Sequence, residues 1–399
     1  MIQLVAIGKV ADVNPTIPKE LGNLLDNVVT FLPMAAVSEE GRITIPEERP
    51  IGEVIKGYRY FEQGDVLLAK ITPCMENGKA VFVEDIPHKI GFGSTEFHVL
   101  RPSSEIDGRY LFYMLWNPIF RGIAERNMTG TAGQKRVPTD FLKRYKIPLP
   151  PLKEQRRIAA ILDKADAVRR KRKEAIALTE ELLRSAFLDM FGDPITNPKG
   201  WEVVNLKSQV AELRYGTSVK CHDVKKNGDL PILRIPNIIG EEISWEDLKY
   251  AELEAKETSK LLLKPGDILF VRTNGNPEYI GRCALFEENY GNTLYASYLI
   301  RARLKPNAQF YPAFIRDIIS FPTYRSHVVR EARTTAGNYN INTEGLGHLH
   351  LIKPPLKEQE SYLQLERNLK IRAEKQKKQL EEINNLFNSL LQKAFRGEL

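Results

Sequence analysis

Residues 150–155 read Pro-Pro-Leu-Lys-Glu-Gln, and residues 354–359 read Pro-Pro-Leu-Lys-Glu-Gln again. The copies stand 204 residues apart in a chain of 399, and each opens a stretch without another Pro or Gly until Gly192 and Gly397. Proline suits the first turn of a helix, where its missing N–H is not needed, so both stretches are expected to be long helices. In the first, Ile158, Ile161, Ala165, Val168, Arg172, Ala175, Thr179, Leu182 and Ala186 recur at alternating spacings of three and four. In the second, Tyr362, Leu365, Leu369, Arg372, Gln376, Gln379, Ile383, Leu386 and Leu390 do the same. That is the heptad spacing of a coiled-coil seam, which buries itself only against a partner. The simplest partner for each helix is the other, and about 38 residues at 1.5 Å rise give rods of roughly 57 Å.

Working outward, further matches fall in the same order at nearly the same offset. Gly64-Asp65-Val66-Leu67-Leu68-Ala69-Lys70 answers Gly266-Asp267-Ile268-Leu269-Phe270-Val271-Arg272, and the Thr-Ala-Gly at Thr131 answers that at Thr335. Gly78-Lys79-Ala80 answers Gly281-Arg282-Cys283, and Leu182-Leu183-Arg184 answers Leu390-Leu391-Gln392. Collinear matches with a slowly drifting offset mean an internal duplication of domain-sized units, which excludes short-repeat solenoids. The stretches outside the long helices are rich in Gly, Pro and short β-branched or aromatic runs, with helices expected near 110–115 and 311–319. The expected fold is α+β: two β-rich mixed globular domains, 1–149 and 199–353, joined by helices 150–191 and 354–396. The helices pair as an antiparallel coiled coil, and the whole is an internal pseudo-two-fold repeat.

The chain carries 58 Lys plus Arg against 51 Asp plus Glu, a net charge of +7, which makes an acidic partner such as nucleic acid plausible. Three isolated cysteines exclude a disulfide scaffold. No apolar run reaches the roughly 18 residues of a membrane span, so a cytoplasmic location is expected.

Catalytic patterns are missing. Gly78-Lys79 has Thr72 and Pro73 where a phosphate loop needs its first glycine, and Gly91-Phe92-Gly93 is read as a loop without a dinucleotide helix behind it. Cys221, His222, His348 and His350 do not cluster as metal ligands do, and no Asn-Pro-Pro-Tyr-like tetrad for base methylation is present. No metal, cofactor or chemistry of its own is expected.

The duplicated units instead carry polar and basic loops at matching places. Lys70, Ile71 and Thr72 stand opposite Arg272, Thr273, Asn274 and Asn276, while Thr131, Gln134, Lys135 and Arg136 stand opposite Thr335, Asn338 and Asn340. Arg and Lys can donate to guanine O6 and N7, and Asn can pair with adenine, so these loops are candidate DNA readers; an ordinary solvated hairpin is the competing reading. Small residues beside them let backbone N–H groups approach phosphate. The framework is shared and the loops differ, which suggests two heads reading two short sequences at a fixed spacing, about 34 Å or a multiple apart. The basic run Arg169 to Lys173 is either a phosphate contact or a solvated helix face.

The doubled Pro-Pro-Leu-Lys-Glu-Gln before each heptad helix, the Thr-Ala-Gly loops upstream and Lys199-Gly200-Trp201 opening the second unit resemble the specificity subunits of type I restriction–modification systems. The resemblance implies that each globular part is a target recognition domain reading one half of a bipartite site in double-stranded DNA. It implies that the helices, through Ile158, Ile161, Val168, Leu182, Tyr362, Leu365, Leu369, Ile383, Leu386 and Leu390, form the coiled coil and dock two methyltransferase subunits. Restriction subunits with motor and nuclease activity would join them, and S-adenosylmethionine, ATP and magnesium would be bound by those partners. A free-standing DNA-binding regulator and a structural coiled-coil organiser are the alternatives.

Overall fold

The computed structural model describes residues 3–131, 133–287, 291–335 and 338–399. The two Pro-Pro pairs open helices Leu152–Phe191 and Leu356–Arg396. The chemistry shared by the two copies of the hexapeptide lies in the glutamine. Gln155 is fully buried; its Oε1 accepts from Asp107 N (2.8 Å), and its Nε2 donates to Glu105 O (3.0 Å) and Pro150 O (2.8 Å). Gln359, equally buried, accepts from Tyr311 N (3.1 Å) and donates to Gln309 O (3.0 Å) and Pro354 O (2.8 Å). Asp107 and Tyr311 are the N-caps of helices α1 (Gly108–Trp116) and, in the second unit, α3 (Pro312–Ser320). One carboxamide therefore closes the start of a long helix and fastens it to the start of a core helix. Helices α2 (Pro118–Arg126) and α4 (Pro322–Glu331) follow directly, each opened by a proline at its first position.

The chain divides into two compact units, Met1–Ala175 with Gln376–Leu399, and Ile176–Lys375. In the first, strands Ala11–Val13, Phe97–Pro102, Val66–Ala69 and Ala80–Phe82 form an antiparallel sheet in that order. A second sheet orders Glu47–Pro50, Val28–Leu32, Ile90–Gly93 and Arg59–Glu62, with one parallel pair between Val28–Leu32 and Ile90–Gly93. The other unit repeats this: Val210–Tyr215, Leu299–Leu304, Ile268–Val271 and Cys283–Leu285 form the antiparallel sheet. Its smaller sheet orders Lys249–Ala251, Leu230–Leu233 and Leu294–Tyr295, again with one parallel pair. Each unit also holds a separate two-stranded antiparallel sheet, Leu4–Ala6 with Lys146–Pro148 and Glu202–Asn205 with His350–Lys353.

Gly91-Phe92-Gly93 is a strand and not the expected loop. Its glycines fit a closely packed sheet rather than a turn: a Cβ on Gly91 would press on the Phe61 ring and lie 2.6 Å from Thr30 O.

The units do not end where the long helices begin. The first contains the opening of one long helix and the close of the other, and the second contains the reverse. In the first unit Ile158, Ala159 and Leu162 share a core with Phe387, Leu391 and Ala394. Phe387 stands edge-on to Tyr113 and Trp116, with ring centroids 6.4 and 5.8 Å away. In the second unit Phe187 and Phe191 stand edge-on to Tyr362, at 5.4 and 5.5 Å.

This burial corrects part of the expected seam. Ile158, Tyr362 and Leu369 are buried, and Ile161, Ile383 and Leu390 are half-buried. Val168, Leu182, Leu365 and Leu386, however, are 53, 54, 37 and 59 % exposed. A straight helix turns every 3.6 residues and drifts about 20° per heptad from a 3.5-residue stripe. The larger aromatics take the core: Phe387 displaces its neighbour Leu386, and Phe187 takes the place expected for Ala186. Polar groups also occupy this face, since Asp166, Glu366 and Gln376 are buried. No helix among the described residues is long and apolar enough to cross a membrane.

Candidate nucleic-acid interface

In each unit the two loops singled out in the sequence meet. Lys70 follows strand Val66–Ala69; its carbonyl accepts from Val137 N (2.9 Å), Thr72 N donates to Lys135 O (3.0 Å), and Ile71 bridges Arg136. Thr129 bridges Arg136 in turn, so 70–72 and 129–136 form one small ribbon. Ala132 lies outside the described residues. In the second unit Thr273 and Asn274 pair with Asn340 and Tyr339, and Arg333–Thr335 pairs with Asn338–Asn340. The Arg272 carbonyl accepts from Ile341 N (2.9 Å), as Lys70 does from Val137. The side chains of Thr335 and Asn338, and all of Ala336 and Gly337, lie outside the described residues.

The charges in these ribbons are not equivalent. Arg136 is gripped by Glu96 through Nε–Oε2 (2.9 Å) and Nη2–Oε1 (2.8 Å), and its Nη1 donates to Gln134 O (3.0 Å). That guanidinium holds the Glu96 carboxyl below its ordinary range. Lys70 forms no ion pair among the described residues, and burial, with Arg59 and Arg136 close by, lowers its ammonium below the usual lysine value. The Glu96 carboxylate offsets this only in part. Arg272 lies over the Tyr215 ring, 4.7 Å from its centroid, which fixes the plane of its guanidinium. Asn274 Oδ1 accepts from Asn276 N (2.9 Å) and Asn276 Oδ1 from Glu278 N (3.0 Å), so both amides are oriented by the turn they shape.

Sequence reading missed two supports of this site. His98 is buried, with Nε2 2.8 Å from Val137 O and Nδ1 3.3 Å from Asn14 Nδ2; burial pushes it down to about 4, so it is neutral. Tyr298, whose carbonyl accepts from Arg272 N (3.0 Å), is 56 % exposed beside the second ribbon. Neither carries a motif; their positions follow only from strand register.

The basic helix run is partly consumed within the first unit. Arg169 pairs with Asp166 (2.6 Å) and lies over the rings of Trp116 and Phe387, and Arg170 also pairs with Asp166 (2.8 Å). Lys173 pairs with Glu40, holding that carboxyl low. In the second unit Glu241, Asp317 and Glu366 bring their oxygens within 4.8 Å of one another. Arg316 is interleaved with them, 2.6 Å from Asp317 and in contact with Glu366, and Lys370 stands 2.7 Å from Glu366 and 3.3 Å from Glu241. Two protein cations thus stand among the three acids, as in a buried ion network. His222 is likewise engaged, with Asp229 at 2.6 Å.

The family model for the type I restriction modification DNA specificity domain matches residues 35–178 and 198–385, one match over each repeat. The chain belongs to this family. Among curated members it is 29 % identical over 333 residues to the EcoKI specificity subunit of Escherichia coli K12, covering 79 % of this chain and 70 % of that one. It is 40 % identical over 162 residues to the EcoEI specificity subunit of Escherichia coli, but that match spans 40 % of this chain and 27 % of the relative. A chain solved in work on assembly and conformational transition of the type I R-M system covers 100 % of this one at 22 % identity with a TM-score of 0.61. The S subunit from M. genitalium aligns over 99 % at 16 % identity and a TM-score of 0.56. These two likenesses establish the specificity-domain fold.

Proposed function

We propose that this chain is the non-catalytic DNA-reading subunit of a type I restriction–modification complex. Each globular part, 1–149 and 199–353, reads one half of a bipartite site in double-stranded DNA. The observation that carries the reading is the pair of ribbons: one frame, built twice at matching register, presents Lys70, Thr72, Gln134 and Lys135 in one unit and Arg272, Thr273, Asn274 and Asn276 in the other. A common scaffold with different donors and acceptors is what reading two different half-sites requires. Arg136 serves here as a structural strut, since Glu96 neutralises it.

The long helices supply the docking surface for two methyltransferase subunits, and restriction subunits join through them. Val168, Leu182, Leu365 and Leu386, exposed on those helices, are apolar positions available for such a contact. Methyl transfer, ATP-driven movement and cleavage belong to those partners.

Methylation-sensitive sequencing of the host genome with and without the gene tests the reading. A two-part motif with a fixed unread gap, lost on deletion, is expected; an unchanged methylome in a strain expressing active partners refutes it. With the motif known, Arg272→Ala should weaken the second half-site alone, by about 1–3 kcal/mol if it makes a bidentate base contact. Equal weakening on every sequence would make Arg272 a phosphate contact.

A further inference from the structure

Behind each ribbon the chain makes a turn that returns to the sheet through a glycine in the left-handed region, Gly78 (φ 87°) in the first unit and Gly281 (φ 67°) in the second. These turns run from Lys70 and Arg272, so their shape sets where the ribbon residues point. Arg121 on α2 and Arg325 on α4 stand 204 residues apart, each three residues after the proline that opens its helix. Arg121 Nη1 donates to Glu76 O (2.8 Å), and Arg325 Nη2 donates to Glu278 O (3.0 Å) and Ile280 O (2.6 Å). Each guanidinium lies against the turn's glycine: a Cβ on Gly78 would come within 2.6 Å of Arg121 Nη1, and one on Gly281 within 3.3 Å of Arg325 Nη1.

Neither arginine forms an ion pair among the described residues, and burial pushes both below the ordinary arginine value. Core packing alone would be served by an uncharged side chain, because a partly buried guanidinium without a carboxylate is unfavourable. What it does supply is a rigid fork that fixes backbone carbonyls of the turn.

We infer that Arg121 and Arg325 are positioning residues for DNA discrimination, each holding from behind the turn that aims the reading residues of its own unit. The inference rests on the reading of the ribbons given above. Base contacts require donors placed within about 0.5 Å, whereas phosphate attraction tolerates a loose loop. Freeing the turn therefore lowers discrimination between half-sites and leaves sequence-independent, salt-sensitive affinity in place.

The test uses the intact chain and four duplexes: the target, the target altered in the first half, in the second half, and in both. Arg121→Met should reduce the preference for a correct first half-site on the order of tenfold and leave the second unchanged, and Arg325→Met should do the opposite. Arg121→Lys should restore most of the preference, because Arg121 holds one carbonyl, while Arg325→Lys should restore only part, because Arg325 holds two. Unaltered discrimination in the Met variants, or equal loss at both half-sites, overturns the inference. Should a Met variant fold poorly, amide exchange at Gly78 and Gly281 in the Lys variants decides: wild-type protection in Arg325→Lys refutes the clamp. Lys70→Ala and Arg272→Ala are the controls. If they change neither half-site, the ribbon reading itself is wrong; if they do and the arginine variants do not, only the positioning role fails.

Discussion

Replacing Gln155 with Leu tests the central element of the fold, since it keeps side-chain bulk and removes three hydrogen bonds at once. Two of the partners, Asp107 N and Glu105 O, are partly accessible and can be rehydrated, so each bond is worth about 1 kcal/mol. Pro150 O is bonded in a buried setting and is left unsatisfied at about 1–3 kcal/mol. The expected loss is about 3–5 kcal/mol for the first unit. Gln155→Glu should be worse at neutral pH, because a carboxylate replaces the donor facing Glu105 O and Pro150 O. Urea unfolding followed by amide exchange gives the readout: residues 105–111 should lose protection, while 309–315, held by Gln359, keep theirs. A loss under about 0.5 kcal/mol, or a glutamate variant as stable as wild type, would refute the claim that the hexapeptide glutamine is a clasp.

The neighbours Phe387 and Leu386 should behave oppositely. Phe387→Ala, at a 1 % exposed position, should cost the first unit about 3–5 kcal/mol, whereas Leu386→Asp should leave its unfolding free energy within about 0.5 kcal/mol of wild type. His98, depressed to about 4 from its usual 6.5, contributes stability present above pH 6.5 and lost as pH falls towards 4; His98→Gln should flatten that acid limb in a urea series. Asp317 has the opposite sense. Burial raises its carboxyl above the usual carboxylate range, against the pull of Arg316, so the second unit should lose stability as pH rises out of that range, and the penalty of Asp317→Asn should shrink in the same direction.

The sequence made the duplication legible because it repeats chemistry that must be exact: a glutamine matched to three backbone groups, and glycines at turn and close-contact positions. The long helices were equally visible, since a proline start and the absence of breakers are local signals. The face they bury was not. Leu386 and Phe387 are adjacent, both apolar, and only the aromatic pocket of Tyr113 and Trp116 decides between them. The site was half legible. Loop composition marked Lys70 and Arg272, but the pairing of Arg136 with Glu96, 40 residues away, removes a charge that composition counts as free. His98, Arg121 and Arg325 act through partners distant in sequence and leave no local trace.

The division of the long helices between the units has a consequence for synthesis on the ribosome. Phe387, Leu391 and Ala394 belong to the core of the first unit, yet they are made after every residue of the second. At roughly 5–20 residues per second, the 1–175 segment waits about 10–40 s for those side chains, exposing the surface around Tyr113 and Trp116 meanwhile. The unit encoded first is thus finished last. A chain truncated after residue 375 and released from the ribosome should hold a protease-resistant second half and a first half still open to cleavage.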